Sequence, residues 1–320
     1  MDNTLFIGNG FSMSLFEGIP EWEKLFPGIP QVLAKANATL LYEIYRKMQN
    51  SQIGEEDLFK RNFLEKINKP FEGDTIKSQS DEVESFGTML IKHHVGNIIT
   101  TNYDGGIEWI LTKKCGYEQV TPADLVPEDI YSVRTYKLYR NGVHTVKLWK
   151  IHGDGEPNEK NRRIKSVTLG FDQYCGAIAK EYAYVKGEYD PNLKHGEIQT
   201  PANKPKCLIS LRDKCSGKED FDGISWIELF FTTNVYFVGF GMRFSEIDIW
   251  WLLNQHSRLK EKYPENIKNT ITLVDNELHP VEQEVRELLP YFDVRIVSIP
   301  GIEKNKAYLS NIFRMMKADM

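Results

Sequence analysis

Asn102, Asp104, Ser12 and His152 are the residues of this 320-residue chain whose types and positions best suit chemistry, because each stands just beyond a short apolar run. Asn97-Ile98-Ile99-Thr100 reads as a buried strand ending at Thr100 or Thr101, so Thr101, Asn102 and Asp104 fall where that strand leaves its sheet. Ligands of open α/β sheets bind outside the carboxyl ends of the strands. An amide and a carboxylate at that place are positioned to hold polar groups of a ligand. His152 follows the alternating run Thr145-Val146-Lys147-Leu148-Trp149-Lys150-Ile151 and precedes Gly153, which keeps bulk away. An imidazole with an ordinary pKa of about 6.5 suits a general base in such a position. Leu5-Phe6-Ile7 opens onto Gly8-Asn9-Gly10-Phe11-Ser12, a turn whose two glycines let the backbone approach a phosphate closely. The hydroxyl of Ser12 either caps the next helix or faces the ligand. The dinucleotide fingerprint is incomplete, since Met13 stands where its third glycine belongs.

The elements that must position these residues predict an α/β fold: a Rossmann-like, mostly parallel sheet with helices on both faces and an inserted helical subdomain. Three- and four-residue apolar spacing predicts helices over Val32–Tyr45, Asp57–Ile67 and Ser80–His93, and residues 31–95 read as a helical insert covering the cleft. Gly105-Gly106 precedes a helix from Ile107 to Lys114. The tyrosine-rich stretch Tyr117–Arg140 is mixed, broken by Pro122 and Pro127, and Lys165–Leu169 reads as a short strand. Residues 181–218 have weak periodicity and read as an irregular insertion, a lid or an oligomer contact. Tyr236-Phe237-Val238 leads to Gly239-Phe240-Gly241, after which Ser245-Glu246-Ile247-Asp248 forms a capping box for a helix reaching about Lys262. Thr270–Val274 is a further strand, and Asp275 or Asn276 at its end suits a ribose hydroxyl. Val294–Val297 is the last strand, and a final helix follows from Glu303. The whole of 1–320 reads as one catalytic domain.

Composition excludes several classes. A formal net charge of −5 without a basic cluster argues against direct nucleic-acid binding. No apolar run approaches the ~18 residues of a membrane span, and the opening Met1-Asp2-Asn3-Thr4 lacks the basic start of a signal peptide. The four cysteines, Cys115, Cys175, Cys207 and Cys215, include no Cys-x-x-Cys pair, which fits free thiols in a reducing cytoplasm and no zinc ribbon.

Together these motifs resemble the sirtuin-like family, specifically its bacterial NAD-hydrolase branch used in antiviral defence. Gly8-Asn9-Gly10-Phe11-Ser12 is similar to the family's G-A-G-x-S loop, Gly18-Ile19-Pro20-Glu21-Trp22 to G-I-P-D-F, and Thr100-Thr101-Asn102-Tyr103-Asp104 to T-Q-N-I-D. Ile151-His152-Gly153 resembles the L-H-G that carries the catalytic histidine, and Val238-Gly239-Phe240-Gly241 the later V-G-T-S turn. The resemblance runs over nearly the whole chain in the family's order. It implies NAD as substrate, with Gly8, Gly10, Phe11 and Ser12 along the pyrophosphate, Thr101 among the other NAD-binding residues, Gly239 and Phe240 along the ribose-phosphate path, and Asp275 or Asn276 at the adenosine ribose. It implies His152, Asn102 and Asp104 as the catalytic set that releases nicotinamide and ADP-ribose. No metal is expected, because the deacylases' zinc-binding cysteine pairs have no equivalent here, and Glu23 stands where they carry arginine. Both departures disfavour the alternative of an NAD-dependent protein deacylase; a non-catalytic NAD or ADP-ribose sensor is the other alternative. An antiphage effector that depletes NAD also implies a trigger, from an activating protein partner, a homo-oligomer, or both.

Overall fold

The computed structural model describes residues 1–20, 25–26, 38–48, 56–71, 81–125, 132–139, 142–153, 167–188, 209–221, 223, 225–300 and 307–317. Eight strands form one sheet: β1 (Asn3–Ile7), β2 (Val95–Thr100), β3 (Glu118–Leu125), β4 (Ser132–Leu138), β5 (His144–Lys150), β6 (Asn234–Val238), β7 (Ile271–Asn276) and β8 (Val294–Ile299). Their order across the sheet is β3-β4-β5-β2-β1-β6-β7-β8. From β5 to β8 every neighbouring pair is parallel, whereas β3 and β4 join antiparallel at one edge. Leaving that edge pair aside, the parallel strands run 3-2-1-4-5-6 in chain order, the arrangement of doubly wound dinucleotide-binding sheets. The chain leaves β1 toward β2 on one side and returns to β6 on the other, so the order reverses beside β1.

Alternation along the strands gives both faces an apolar cover, as a parallel sheet requires. Leu5, Ile7, Ile98, Leu148, Tyr236 and Val238 share one core with the helices Phe86–Lys92 and Tyr308–Lys317. Phe6, Ile99, Trp149 and Phe237 point the other way, into a second core with the helices Trp226–Thr232 and Ile247–Lys262. A third cluster joins Leu41, Tyr42, Phe63 and Leu64, from the helices Ala38–Met48 and Glu56–Asn68, to Tyr103 in the loop after β2. Phe86–Lys92 falls inside its predicted segment, Glu56–Asn68 exceeds its segment by one residue at each end, and Ala38–Met48 runs three residues past Tyr45; residues 31–37, 49–55 and 72–80 lie outside the described ones.

Several expectations change. The stretch after Tyr117 forms the antiparallel strands β3 and β4, which its prolines had hidden; Pro122 is tolerable there because β3 is the edge strand. The helix begun at Gly106 is α-helical only to Trp109 and continues as a π-turn over Ile110–Lys114. Val167-Thr168-Leu169 is irregular rather than a strand, because the Thr168 amide bonds the carbonyl of His152 (2.9 Å) instead of a strand neighbour. Residues 181–186 complete the helix Phe171–Lys186, and a short helix spans Leu211–Cys215, while 189–208 lie outside the described residues. The capping box does not form: Glu246 is the N-cap but makes no side-chain cap bond, and Asp248 turns to other partners. Among the described residues no helix is long and apolar enough to cross a membrane.

Candidate active site

Register lines up the strand ends. Lys150, Thr100, Ile7, Val238 and Val274 are successive partners across the sheet, so the residues that follow each of them leave one common edge. Neighbouring strands lie about 4.8 Å apart. Thus Ile151-His152, Thr101-Asn102, Gly8 and Gly239 emerge side by side.

At the centre of that edge the two glycine loops meet. Gly239 takes a left-handed φ of +61°, and a side chain there would put its Cβ 2.2 Å from the Phe11 nitrogen. Gly8 and Gly10 are equally confined, since Cβ atoms on them would stand 2.6 and 2.8 Å from the Gly239 carbonyl oxygen. Only backbone fits between β1 and β6 here. The Gly8 amide donates to the Val238 carbonyl (3.0 Å), the Gly10 amide to Gly239 (2.9 Å), and the Phe11 amide to Gly8 (3.0 Å). Phe11 and Phe240 turn their rings into the cores, against Phe86 and Phe6 respectively, and leave only backbone at the site. The resemblance implies that these amides face a pyrophosphate; in this conformation each is taken by a carbonyl of the protein, Gly8 by the end of β6, Gly10 by the neighbouring loop and Phe11 within its own turn.

Beside the glycines lies a directed chain of hydrogen bonds. Asn102 Nδ2 donates to Ser12 Oγ (3.2 Å), and Ser12 Oγ donates to the Asp104 carboxylate (3.1 and 3.2 Å). The amide nitrogen has protons only to give, so the serine hydroxyl must accept there and pass its own proton toward Asp104. The Gly106 amide donates to Asp104 Oδ1 (2.9 Å), and Lys150 Nζ donates to the Asp104 carbonyl (2.8 Å). Burial pushes the Asp104 carboxyl upward despite Lys150 nearby. Ser12 is helical rather than a cap, and of its two expected roles the polar contact at the site is the one it fills. The Asn102 amide is itself pinned by Thr100 Oγ1 (3.0 Å), whose hydroxyl donates to the Ile7 carbonyl (2.8 Å).

Under Asp104 sits a buried charge group. Glu108 Oε1 accepts from Lys150 Nζ (2.8 Å) and Arg134 Nη1 (3.0 Å), with all three side chains removed from water. Arg134 belongs to β4, so an unforeseen antiparallel strand supports the floor of the site.

His152 is 3 % exposed, and its Nε2 lies 2.7 Å from Asp248 Oδ2 at the start of the helix Ile247–Lys262. Its other nitrogen faces the Tyr174 hydroxyl at 3.5 Å. Burial opposes a charge on the imidazole, but the charge and hydrogen bond of Asp248, with the charge of Glu246, raise its pKa above the ordinary value. The loop carrying His152 and the loop carrying Asn102 are tied through Thr168, whose carbonyl accepts from the Tyr103 hydroxyl and whose amide donates to His152. Sequence gives Glu246 and Asp248 only a place in a capping box, and assigns no site role to Glu181 or Tyr174. The available signal for Glu246 and Asp248 is their place just past Gly239-Phe240-Gly241, at the start of the helix Ile247–Lys262; Glu181, deep in the helix Phe171–Lys186, offers none.

Two expected residues are engaged otherwise. The Asp275 carboxylate accepts from the Val281 amide (3.0 Å) and from Arg286, and Asn276 Oδ1 accepts from the Leu278 amide (3.0 Å) in a local turn. A surface cavity of about 290 Å³ lies in the helical insert, lined by Leu25, Tyr45, Phe63 and Lys66 among others; no residue of the strand-end group lines it.

These features define a doubly wound, Rossmann-like α/β protein with a buried polar site at the carboxyl ends of β5, β2, β1 and β6. No protein-family model matches the chain, and no curated protein matches it.

Proposed function

We propose that this chain is an NAD glycohydrolase that cleaves the nicotinamide–ribose bond, acting in the cytoplasm as an antiphage effector that depletes NAD. The observation that most supports this reading is the meeting of the Gly8–Ser12 turn, the Asn102–Asp104 loop and His152 along one sheet edge, in a 3-2-1-4-5-6 sheet. That is the sheet order and the edge at which dinucleotides bind.

In the proposed reaction the C1′–N1 bond of NAD breaks, its electron pair goes to the pyridine nitrogen, and a water oxygen bonds C1′. His152 takes the proton that the water loses. Asp104 holds the carboxamide, with Oδ2 as the acceptor less used by the protein, and Asn102 orients the ribose or the water. Because the transition state resembles an oxocarbenium ion, positioning and electrostatic stabilisation are the protein's main contributions. The closed contact of Gly10 on Gly239 and the burial of His152 and Asn102 fit a resting state that must open before substrate enters. Opening is therefore assigned to oligomer formation or a protein partner, each of which acts only through preferential binding of the open state.

The test is chromatography of nicotinamide and ADP-ribose after incubation with NAD, for the chain alone and with an extract of phage-infected cells as the source of activator. Equal amounts of the two products in at least one mixture are expected. NAD recovered whole from both would overturn the proposal, and tight binding of that intact NAD would point to a sensor.

A further inference from the structure

We infer that Asp248 is the positioning residue of His152, holding the Nε2–H so that Nδ1 is the basic nitrogen of the site. This rests on the glycohydrolase reading for its place in catalysis, but the geometry stands without it. Asp248 is itself fixed first: its Oδ1 accepts the Ile249 amide (2.9 Å), which aims Oδ2 at the imidazole. An ionised carboxylate has no proton to give, so Nε2 must be the donor in the 2.7 Å contact. A neutral imidazole carries one proton, and with that proton on Nε2 the lone pair lies on Nδ1. The group facing Nδ1 is the Tyr174 hydroxyl, and 3.5 Å is too long to commit that lone pair. The Tyr174 ring stands edge-on to the imidazole at 76°, and burial followed by the charges of Glu246, Tyr103 and Asp248 keeps its phenol neutral.

Charge around the imidazole completes the device. Glu246, in the loop after β6, and Asp248 act on His152 directly, and a histidine nitrogen and carboxylate oxygens of these three lie within 4.8 Å of one another. Glu181, from the helix Phe171–Lys186, is 4 % exposed, and burial followed by the charge of Asp248 raises its carboxyl well above the ordinary value. Glu181 Oε2 and Glu246 Oε2 have no hydrogen-bond partner among the described residues. Burial raises the Glu246 carboxyl to about 7, with His152 and Arg243 lowering it and Asp248 raising it. The acidic surround favours the imidazolium that forms when Nδ1 takes a proton. It also sets the pH at which the base is lost: His152 works only when neutral, so turnover should fall as pH drops through its raised pKa.

Asp248→Asn keeps the shape and removes the charge. Nitrogen-15 NMR of the whole protein, with the His152 signals assigned by their absence in His152→Gln, reads both parts without NAD. The wild type should show the neutral-form proton on Nε2 and a His152 pKa above 6.5; Asp248→Asn should lower that pKa by about one pH unit or more, the scale on which a close opposite charge acts. In turnover, Asp248→Asn should lower kcat by about 10²-fold, the lower end of what a positioned base supplies, with KM little changed and the acid limb moved to lower pH. A wild-type proton on Nδ1, or a pKa unmoved in Asp248→Asn, would overturn the inference. Should Asp248→Asn fail to fold, the wild-type tautomer alone decides it. An Nε2–H and a shifted pKa in a protein that leaves NAD whole would sink the glycohydrolase and leave this pairing intact.

Discussion

Nicotinamide release is expected to fall about 10²–10⁴-fold when His152 is replaced by alanine, the range a positioned general base contributes, with KM for NAD little changed. The asymmetry follows from where the contacts are made. In the proposed complex the pyrophosphate and carboxamide are held from β1, β2 and β6, and only the reacting water or hydroxyl depends on the residue after β5. Losing an interaction made in the transition state alone lowers kcat and kcat/KM together. The substitution also leaves Asp248 and Glu246 without their imidazole, so Asp248 faces its N-terminal helical turn and the Ile249 amide alone. A thermal melt of the same preparation separates lost chemistry from lost fold. Turnover in His152→Ala within a few-fold of the wild type, from a folded protein, would remove His152 from the mechanism.

The second large effect is on stability. Glu108→Ala should destabilise the fold by about 3–5 kcal/mol, the cost of leaving a buried charge without its partner. Glu108 is the carboxylate shared by Lys150 and Arg134, both 1 % exposed, and both contacts are of hydrogen-bond length. Against a total stability of about 5–15 kcal/mol, that is a large share. Denaturant titration measures it, as a drop in midpoint with little change in slope. Because Lys150 also holds the Asp104 carbonyl, the same variant should loosen the loop that carries Asn102 and Asp104. A loss under about 1 kcal/mol would show that the two cations find water or other carboxylates, and that Glu108 is not the counter-ion the site depends on.

Both predictions draw on residues of different legibility. The strand ends were readable because each is a short apolar run stopped by glycine, asparagine or histidine, and β1, β2, β5 and β6 lie within one or two residues of their expected positions. Asn102, Ser12 and Asp104 were readable for the same reason, and the fold joins them by direct bonds. Asp248 was not readable. It lies 96 residues from His152, and local pattern offered it a role as a cap; the tertiary contact with the imidazole took precedence over that local bond. Glu108 and Arg134 form a partnership between a helix and the antiparallel strand β4, and nothing in periodicity foretells such a pair. Asp275 shows the reverse. An acid after a strand suited a sugar hydroxyl, yet Arg286 from the following helix stands close enough to take it. A strand-end carboxylate is legible from sequence; whether another residue of the chain reaches it first is not.

The most direct measurement is the structure of His152→Ala with NAD bound, in which removal of the base preserves the intact dinucleotide. The proposed site predicts the pyrophosphate between the Gly8–Ser12 turn and Gly239, the Gly10–Gly239 contact opened, and the nicotinamide ribose over Asn102 beside residue 152. A dinucleotide bound anywhere other than the carboxyl ends of β5, β2, β1 and β6, or lying there with its nicotinamide away from Asn102 and residue 152, would contradict it.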